Sequence, residues 1–156
     1  MKANTKKYIR VAGRVLFVLY ILLLAYFLFF AEWYGRGMRV EGEYHYNLHL
    51  FREISRYWKY QERLGFMAVF LNLAGNVIGF IPLGFILPVI HHRYKHIWLV
   101  TLLGFTFSLF VETIQLFVRV GSFDVDDMLL NTLGTVIGYI CFLICDRIRR
   151  SYGKRT

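Results

Sequence analysis

Four apolar segments, each close to the length needed to cross a lipid bilayer, constrain this chain more than any other feature. They cover about residues 15–31, 66–90, 97–118 and 128–145. A transmembrane helix needs about 20 mainly apolar residues. With 57% hydrophobic and 19% aromatic residues, the chain is also too apolar for a soluble domain of 156 residues. The sequence therefore predicts an all-α integral membrane protein, with one domain over residues 1–156 and four transmembrane helices.

Positive charge predicts how these helices cross the membrane. Lysine and arginine flank the segments at both termini and in the short connection 91–96: Lys2, Lys6, Lys7, Arg10, Arg14, Arg93, Lys95, Arg147, Arg149, Arg150, Lys154 and Arg155. Because such residues stay in the cytoplasm, we expect both termini there and the connections 32–65 and 119–127 outside. This topology accounts for the net charge of +9, so we expect no nucleic-acid partner. Phe29 and Phe30 stand where a signal peptidase needs small residues, so we expect an uncleaved first helix.

The first outer connection contains a helical pattern of apolar residues. Leu48, Phe51, Ile54, Tyr57 and Trp58 recur at intervals of three and four residues. The pattern predicts an amphipathic interfacial helix on the outer leaflet. An ordinary cap over the helix bundle is an equally good interpretation.

Small residues predict where helices approach each other. Gly75 with Gly79, and Gly134 with Gly138, are spaced four apart, which permits close helix contact. Pro82 lies within the second segment, where it predicts a kink.

Amide and carboxyl groups fall at one depth of three predicted spans, in the half nearer the outside. Asn76, Glu112 and Asn131 lie inside apolar segments, where each polar group costs a few kcal/mol. The candidate binding residues are Asn72, Asn76, Glu112, Gln115, Arg119, Asp124, Asp126, Asp127 and Asn131. One interpretation is a network of hydrogen bonds between helices, in which Asp124 caps the last helix. The other is a pocket, open to the outer leaflet, that binds a polar or cationic group while the helices contact a lipid tail.

Cysteines and histidines give no sign of a metal site. Cys141 and Cys145 are four residues apart in the last segment, and the histidines show no recognised ligand spacing. We expect neither a metal nor another cofactor.

Four blocks of residues together resemble the VanZ-like family of bacterial membrane proteins. They are Asn47, Leu48, Phe51 and Arg52; Asn72, Asn76, Phe80, Pro82, Leu83 and Gly84; Ser108, Glu112 and Gln115; and Phe123, Asp124, Asp126, Asp127, Asn131, Gly134 and Gly138. The ordered set covers residues 47–138. The founding member of this family is associated with teicoplanin resistance. The resemblance implies a multi-pass protein of the bacterial cell membrane and, for some members, lower sensitivity to teicoplanin-type lipoglycopeptides.

Three function classes fit the sequence. The first is a non-catalytic factor that acts on a lipid-anchored ligand in the outer leaflet, such as a lipid-linked cell-wall precursor or a lipoglycopeptide. The second is an enzyme acting on a lipid-linked substrate, with Glu112 as general acid or base and Asp124, Asp126 and Asp127 holding a divalent cation. The third is a scaffold or small transporter. The absence of a serine or cysteine nucleophile beside a histidine at this depth favours a non-enzymatic role.

Overall fold

The computed structural model describes residues 3–29, 44–119 and 121–152 of the chain. The elements in order are α1 (Ala3–Phe29), β1 (Tyr46–Asn47), α2 (Arg52–Lys59), α3 (Gln61–Leu64), α4 (Phe66–Ile90), a 3₁₀ helix (His92–Lys95), α5 (Ile97–Val118), β2 (Phe123–Asp124) and α6 (Val125–Tyr152).

Four helices of the described chain are long and apolar enough to cross a membrane. The candidate spans are Tyr8–Phe27, Asn72–Ile90, Ile97–Val118 and Val125–Tyr152. The predicted all-α membrane fold with four spans is therefore confirmed, and α4 and α5 have the predicted bounds. Helix α1 begins before its predicted span, and α6 extends past the end of its own predicted span. Charged residues at the end of a span can remain helical because their side chains reach water. The predicted end of the first span, Ala31, lies outside the described residues.

Helices α4 and α6 form the centre of the bundle and run parallel, and glycines permit their close approach. A Cβ atom built at Gly84 would lie 1.8 Å from the carbonyl oxygen of Thr135, and one at Gly138 would lie 1.9 Å from that of Ile81. A Cβ at Gly134 would likewise lie 2.1 Å from the carbonyl oxygen of Val77. Close contact at Gly134 and Gly138 is thus confirmed. The Gly75 prediction is wrong, since an added Cβ there would meet no atom of the described residues within 4 Å.

The two remaining long helices each pack antiparallel on one member of the central pair. Helix α1 lies along α4, where the Tyr20 hydroxyl donates a hydrogen bond to the Gly79 carbonyl at 2.8 Å. Helix α5 lies along α6, where a Cβ on Gly104 would overlap the Thr135 side chain. Helix α4 is continuous through both Pro82 and Pro88.

The buried core is small, and the outward faces of the helices are apolar. The core consists of Leu24, Phe80, Leu83, Leu87, Val100, Tyr139 and Phe142. By contrast, Trp98 is 84% exposed and Phe117 is 72% exposed. Large apolar side chains facing outward along long helices are expected where the surroundings are lipid. The chain is a multi-pass membrane protein.

The bundle has two chemically different ends. The carboxylate end is formed by the start of α4, the end of α5, the start of α6 and the segment 44–59. The basic end is formed by the first half of α1, the connection 91–96 and the last turns of α6. The candidate binding residues belong to the first of these ends or lie just below it.

Candidate functional site

A buried carboxylate on α5 fixes the point where the chain turns into α6. The Glu112 side chain is 2% exposed, and its Oε2 accepts a hydrogen bond from the backbone N–H of Asp124 at 2.9 Å. The residue holds β2 against α5 at a position that is buried within the protein. A backbone donor left unpaired at such a position would cost a few kcal/mol, which explains the acceptor there.

The Asp124 side chain performs two tasks from that fixed position. Its Oδ1 accepts the backbone N–H of Asp126 at 2.8 Å, so it caps α6 as the sequence predicts. The same oxygen accepts a hydrogen bond from Nδ2 of Asn47 at 3.1 Å. Burial raises the pKa of Asp124, while the hydrogen bonds from the Asp126 backbone and the Asn47 side chain oppose that rise.

Asn47 belongs to a strand pair that connects two distant parts of the chain. Strands β1 and β2 are parallel, with Tyr46 opposite Phe123 and Asn47 opposite Asp124. The Asn47 side chain is buried, and its Oδ1 also accepts the backbone N–H of His49 at 3.1 Å. The pair therefore attaches the segment before α2 to the α5–α6 connection.

Asp126 caps α2 from a different helix. Its Oδ1 accepts the backbone N–H of Phe51, and its Oδ2 accepts those of Glu53 at 2.8 Å and Ile54 at 3.3 Å. Phe51 occupies the N-cap position with φ of 63° and makes no side-chain cap. The first N–H groups of a helix lack partners within the helix and carry partial positive charge, so a carboxylate stabilises them. Asp126 is fully buried in this role.

Two further contacts connect α6 with its neighbours. Asn76 of α4 donates a hydrogen bond from Nδ2 to Oδ1 of Asp127. One turn deeper on α6, Nδ2 of Asn131 donates to Oγ of Ser108 on α5 at 2.9 Å. Asn131 is 1% exposed, and its Oδ1 has no hydrogen-bond partner in the described chain.

Gln115 is buried on α5 beside this network, but two other candidate residues lie apart from it. Arg119 follows the end of α5 in the left-handed conformation, with φ of 61°. Its guanidinium lies 4.8 Å from the centre of the Tyr44 ring and donates to the Tyr44 hydroxyl at 3.4 Å. It therefore faces outward, whereas the Glu112 side chain is buried. Asn72 is exposed on α4.

Glu53 adds a carboxylate that sequence reasoning did not include among the candidates. It is half-buried at the start of α2 and pairs with Arg56 at 2.6 Å. Burial raises the pKa of Glu53, the Arg56 guanidinium opposes this, and the carboxylates of Asp124 and Asp126 reinforce it. Asn47 and Ser108 were also absent from the candidate list. Asn47 gave no local signal as a site residue, because its partner lies 77 residues away in the sequence.

Most of the acceptor oxygens in this network are directed at protein donors. Glu112, Asp124 and Asp126 each accept a backbone N–H group, and Asp127 accepts a side-chain amide. Among residues 3–29, 44–119 and 121–152, no three His, Cys, Asp or Glu side chains are grouped so that they could hold a metal ion. The hydrogen bonds of Asp126 and Glu112 hold the start of α2 and the α5–α6 connection in place.

Comparison with known proteins identifies the family. The model of the VanZ/LLP1 family matches residues 17–146, which is most of the chain. The protein belongs to this family. No curated protein and no solved structure matches the chain.

Proposed function

We propose that this VanZ/LLP1 family member lowers the sensitivity of a bacterium to teicoplanin-type lipoglycopeptides. It does so from the cell membrane by acting on a lipid-anchored ligand in the outer leaflet. The ligand is a lipid-linked cell-wall precursor or the lipoglycopeptide itself. Family membership supports a location in the membrane. The effect on antibiotic sensitivity is what we propose in addition.

The charge difference between the two ends of the bundle supports one orientation of the protein in the membrane. Lysine and arginine at the basic end favour a cytoplasmic position for both termini. The carboxylate end then faces the outer leaflet, where lipid-linked cell-wall precursors and the acyl chain of a lipoglycopeptide both reside.

The capping of α2 by Asp126 is the observation on which the proposal depends. Three backbone N–H groups of the α2 start bind one buried carboxylate, so this short amphipathic helix is held at the carboxylate end of the bundle. Ile54 and Tyr57 are half-buried toward the bundle, while Trp58 is 74% exposed. Tryptophan and tyrosine favour the headgroup level of a membrane.

The exposed surface of α2 has the chemistry that a lipid-anchored ligand needs. Arg52, Arg56 and Lys59 are exposed on α2, as is Trp58. Cations bind the phosphate groups of a lipid-linked precursor, and an aromatic ring provides apolar contact with an acyl chain. In this proposal the buried carboxylates position the helix, and the helix contacts the ligand.

An enzyme that uses Glu112 and the aspartates remains the second hypothesis, and the contacts support it less. Glu112 and Asp126 are buried and bound to backbone donors, which leaves them poorly placed to exchange protons with a substrate. A scaffold role would also use these contacts, but it would not require the exposed cations of α2.

The test is a susceptibility measurement in a sensitive bacterial host. Expression of the chain should raise the inhibitory concentration of teicoplanin more than that of vancomycin, a glycopeptide without an acyl chain. Replacing Arg52 and Lys59 by glutamine should remove the effect while the protein remains in the membrane. The matched control is Lys95→Gln with Arg147→Gln, which removes the same charge at exposed positions of the basic end, away from α2.

Two results would contradict the proposal. The first is an unchanged inhibitory concentration for both antibiotics, with the protein confirmed in the membrane. The second is an equal loss of protection in the control variant, because that would assign the effect to net charge.

A further inference from the structure

The first half of α1 packs against the last turn of α4 at the basic end. Gly13 is buried there, and a Cβ built on it would lie 3.5 Å from Cγ1 of Val89 and 3.6 Å from Cγ1 of Ile90. Arg10 and Arg14 lie on either side of Gly13 along α1. The contact therefore places two arginines beside the point where α4 ends.

The connection after α4 adds two histidines and a further arginine at that point. The rings of His91 and His92 lie 4.5 Å apart, and Nδ1 of His91 accepts the backbone N–H of Arg93 at 3.2 Å. All three side chains are exposed. The pKa of His91 is lowered first by desolvation, and then by electrostatic interactions with His92, Arg93, Arg10 and Arg14. A Cβ built on Gly13 would lie 3.6 Å from Cγ1 of Ile90, the residue before His91, so Arg10, Arg14, His91, His92 and Arg93 lie close together and form one basic cluster.

The cluster has no acidic partner in the described chain. In the segments 1–14, 91–96 and 146–156, the sequence contains one acidic residue, Asp146. Its carboxylate pairs with Arg150 at 2.6 Å and also with Arg149. Within the described residues, Arg10, Arg14 and Arg93 form no ion pair. Like charges held together at a surface repel one another, so an anion that binds them is stabilised.

We propose that Arg10, Arg14, His91, His92 and Arg93 bind the phosphate group of an anionic membrane phospholipid. Basic pockets between transmembrane helices are suited to such headgroups. The connection 91–96 joins two candidate spans, so the cluster lies at the level where headgroups meet the hydrocarbon. This inference does not depend on the proposed function.

Apolar surface beside the cluster favours a lipid as the source of the phosphate. Val11 and Val15 on α1 are 48% and 55% exposed, and they lie next to the two arginines along the helix. Val18 and Leu22 continue this exposed apolar surface away from the cluster. An acyl chain can lie along these side chains while its phosphate contacts the arginines, whereas free phosphate would use only the cations.

The test measures phospholipid binding to the purified full chain in a neutral detergent by native mass spectrometry. Phosphatidylglycerol should bind more tightly than phosphatidylcholine with the same acyl chains. Arg10→Gln with Arg14→Gln should weaken phosphatidylglycerol binding by about five-fold for each arginine, since a basic residue near an anionic surface contributes about 1 kcal/mol. Arg10→Lys with Arg14→Lys should retain most of the binding, because it keeps both charges.

A charge-matched control and a second single variant complete the design. Arg63→Gln with Arg147→Gln removes two charges elsewhere and should leave phosphatidylglycerol binding unchanged. Arg93→Gln lies in an exposed connection outside the helix contact and should weaken binding by about five-fold even if the α1 double variant fails to fold.

Three outcomes would overturn the proposal. Equal binding of the two phospholipids to the unaltered protein would remove the preference for an anion. A loss in the control as large as that in the Arg10 and Arg14 double variant would assign binding to net charge. Displacement of phosphatidylglycerol by an equal concentration of inorganic phosphate would show that the acyl chains contribute nothing.

Discussion

The buried carboxylate of Glu112 accepts the backbone N–H of Asp124 at 2.9 Å, across the turn between α5 and α6. Asp124 in turn uses its own carboxylate to cap α6 and to hold Asn47. One acceptor on α5 therefore fixes the start of α6 and, through Asn47, the segment that leads into α2. Glu112 acts in this arrangement as a hydrogen-bond acceptor.

This relationship predicts that Glu112→Gln preserves both fold and protection. Glutamine keeps a side-chain oxygen that can accept the Asp124 N–H, whereas Glu112→Ala leaves that donor unpaired at a cost of about 1–3 kcal/mol. Inhibitory concentrations and the unfolding midpoint in detergent should stay near the wild-type values for glutamine and fall for alanine. Loss of protection in Glu112→Gln at an unchanged unfolding midpoint would instead favour the enzyme hypothesis.

Asp126→Asn should release the start of α2 while the four long helices remain assembled. An amide has one acceptor oxygen in place of two, and hydrogen bonds to a charged group contribute about 1.5–3 kcal/mol each. Hydrogen exchange at the Glu53 and Ile54 amides should accelerate by at least about ten-fold. Glu62→Gln provides the control, since it neutralises an exposed acid on α3. Unchanged exchange in Asp126→Asn would show that α2 is held by other contacts.

Gly138→Ala should destabilise the contact between α4 and α6. The added methyl group would lie 1.9 Å from the carbonyl oxygen of Ile81, so the helices must separate. Overpacking costs about 1–3 kcal/mol or more, and backbone cannot move aside as easily as a side chain. Gly75→Ala makes the same change where no atom of the described chain lies within 4 Å. Denaturation by increasing SDS should rank Gly138→Ala well below Gly75→Ala, and equal stability would contradict the close packing.

Ser108→Ala should destabilise the protein more than the same change at Ser55. The Asn131 Nδ2 donates to Ser108 Oγ, and Oδ1 of the same amide has no hydrogen-bond partner in the described chain. Removing the hydroxyl takes away the described partner of a buried amide, at a cost of about 1–3 kcal/mol. Ser55 is exposed on α2, and substitutions at such positions usually change stability by less than about 0.5 kcal/mol. Equal unfolding midpoints for the two variants would show that the Asn131 contact contributes little.

Part of the candidate site follows from the sequence because depth in a membrane can be counted along a helix. Glu112 lies six residues before the end of α5, about 9 Å below it at a rise of about 1.5 Å per residue. The same counting places Asn76 and Asn131 inside their spans. The role of Asp124 as the cap of α6 is also local, since the side chain and the N–H that it accepts are two residues apart.

The direction that a polar side chain faces did not follow from such counting. Asn72 and Asn76 are one turn apart on α4, yet Asn72 is exposed while Asn76 binds Asp127. Arg119 continues the spacing of Glu112 and Gln115, but the helix ends before it, and its guanidinium packs on Tyr44. Helical periodicity predicts which side chains share a face of one helix. Only the packing of neighbouring helices decides which of its faces is buried.

The sequence by itself determined the membrane class and the four spans, and it predicted a common depth for the carboxyl and amide groups. Those properties depend on composition and on distance along one helix. The tertiary structure decided that Asp126 caps a helix more than 70 residues away and that Asn47 joins Asp124. These partners are distant in sequence, and they meet because glycine contacts bring α4 against α6 and a short parallel strand pair attaches the segment before α2 to the α5–α6 connection.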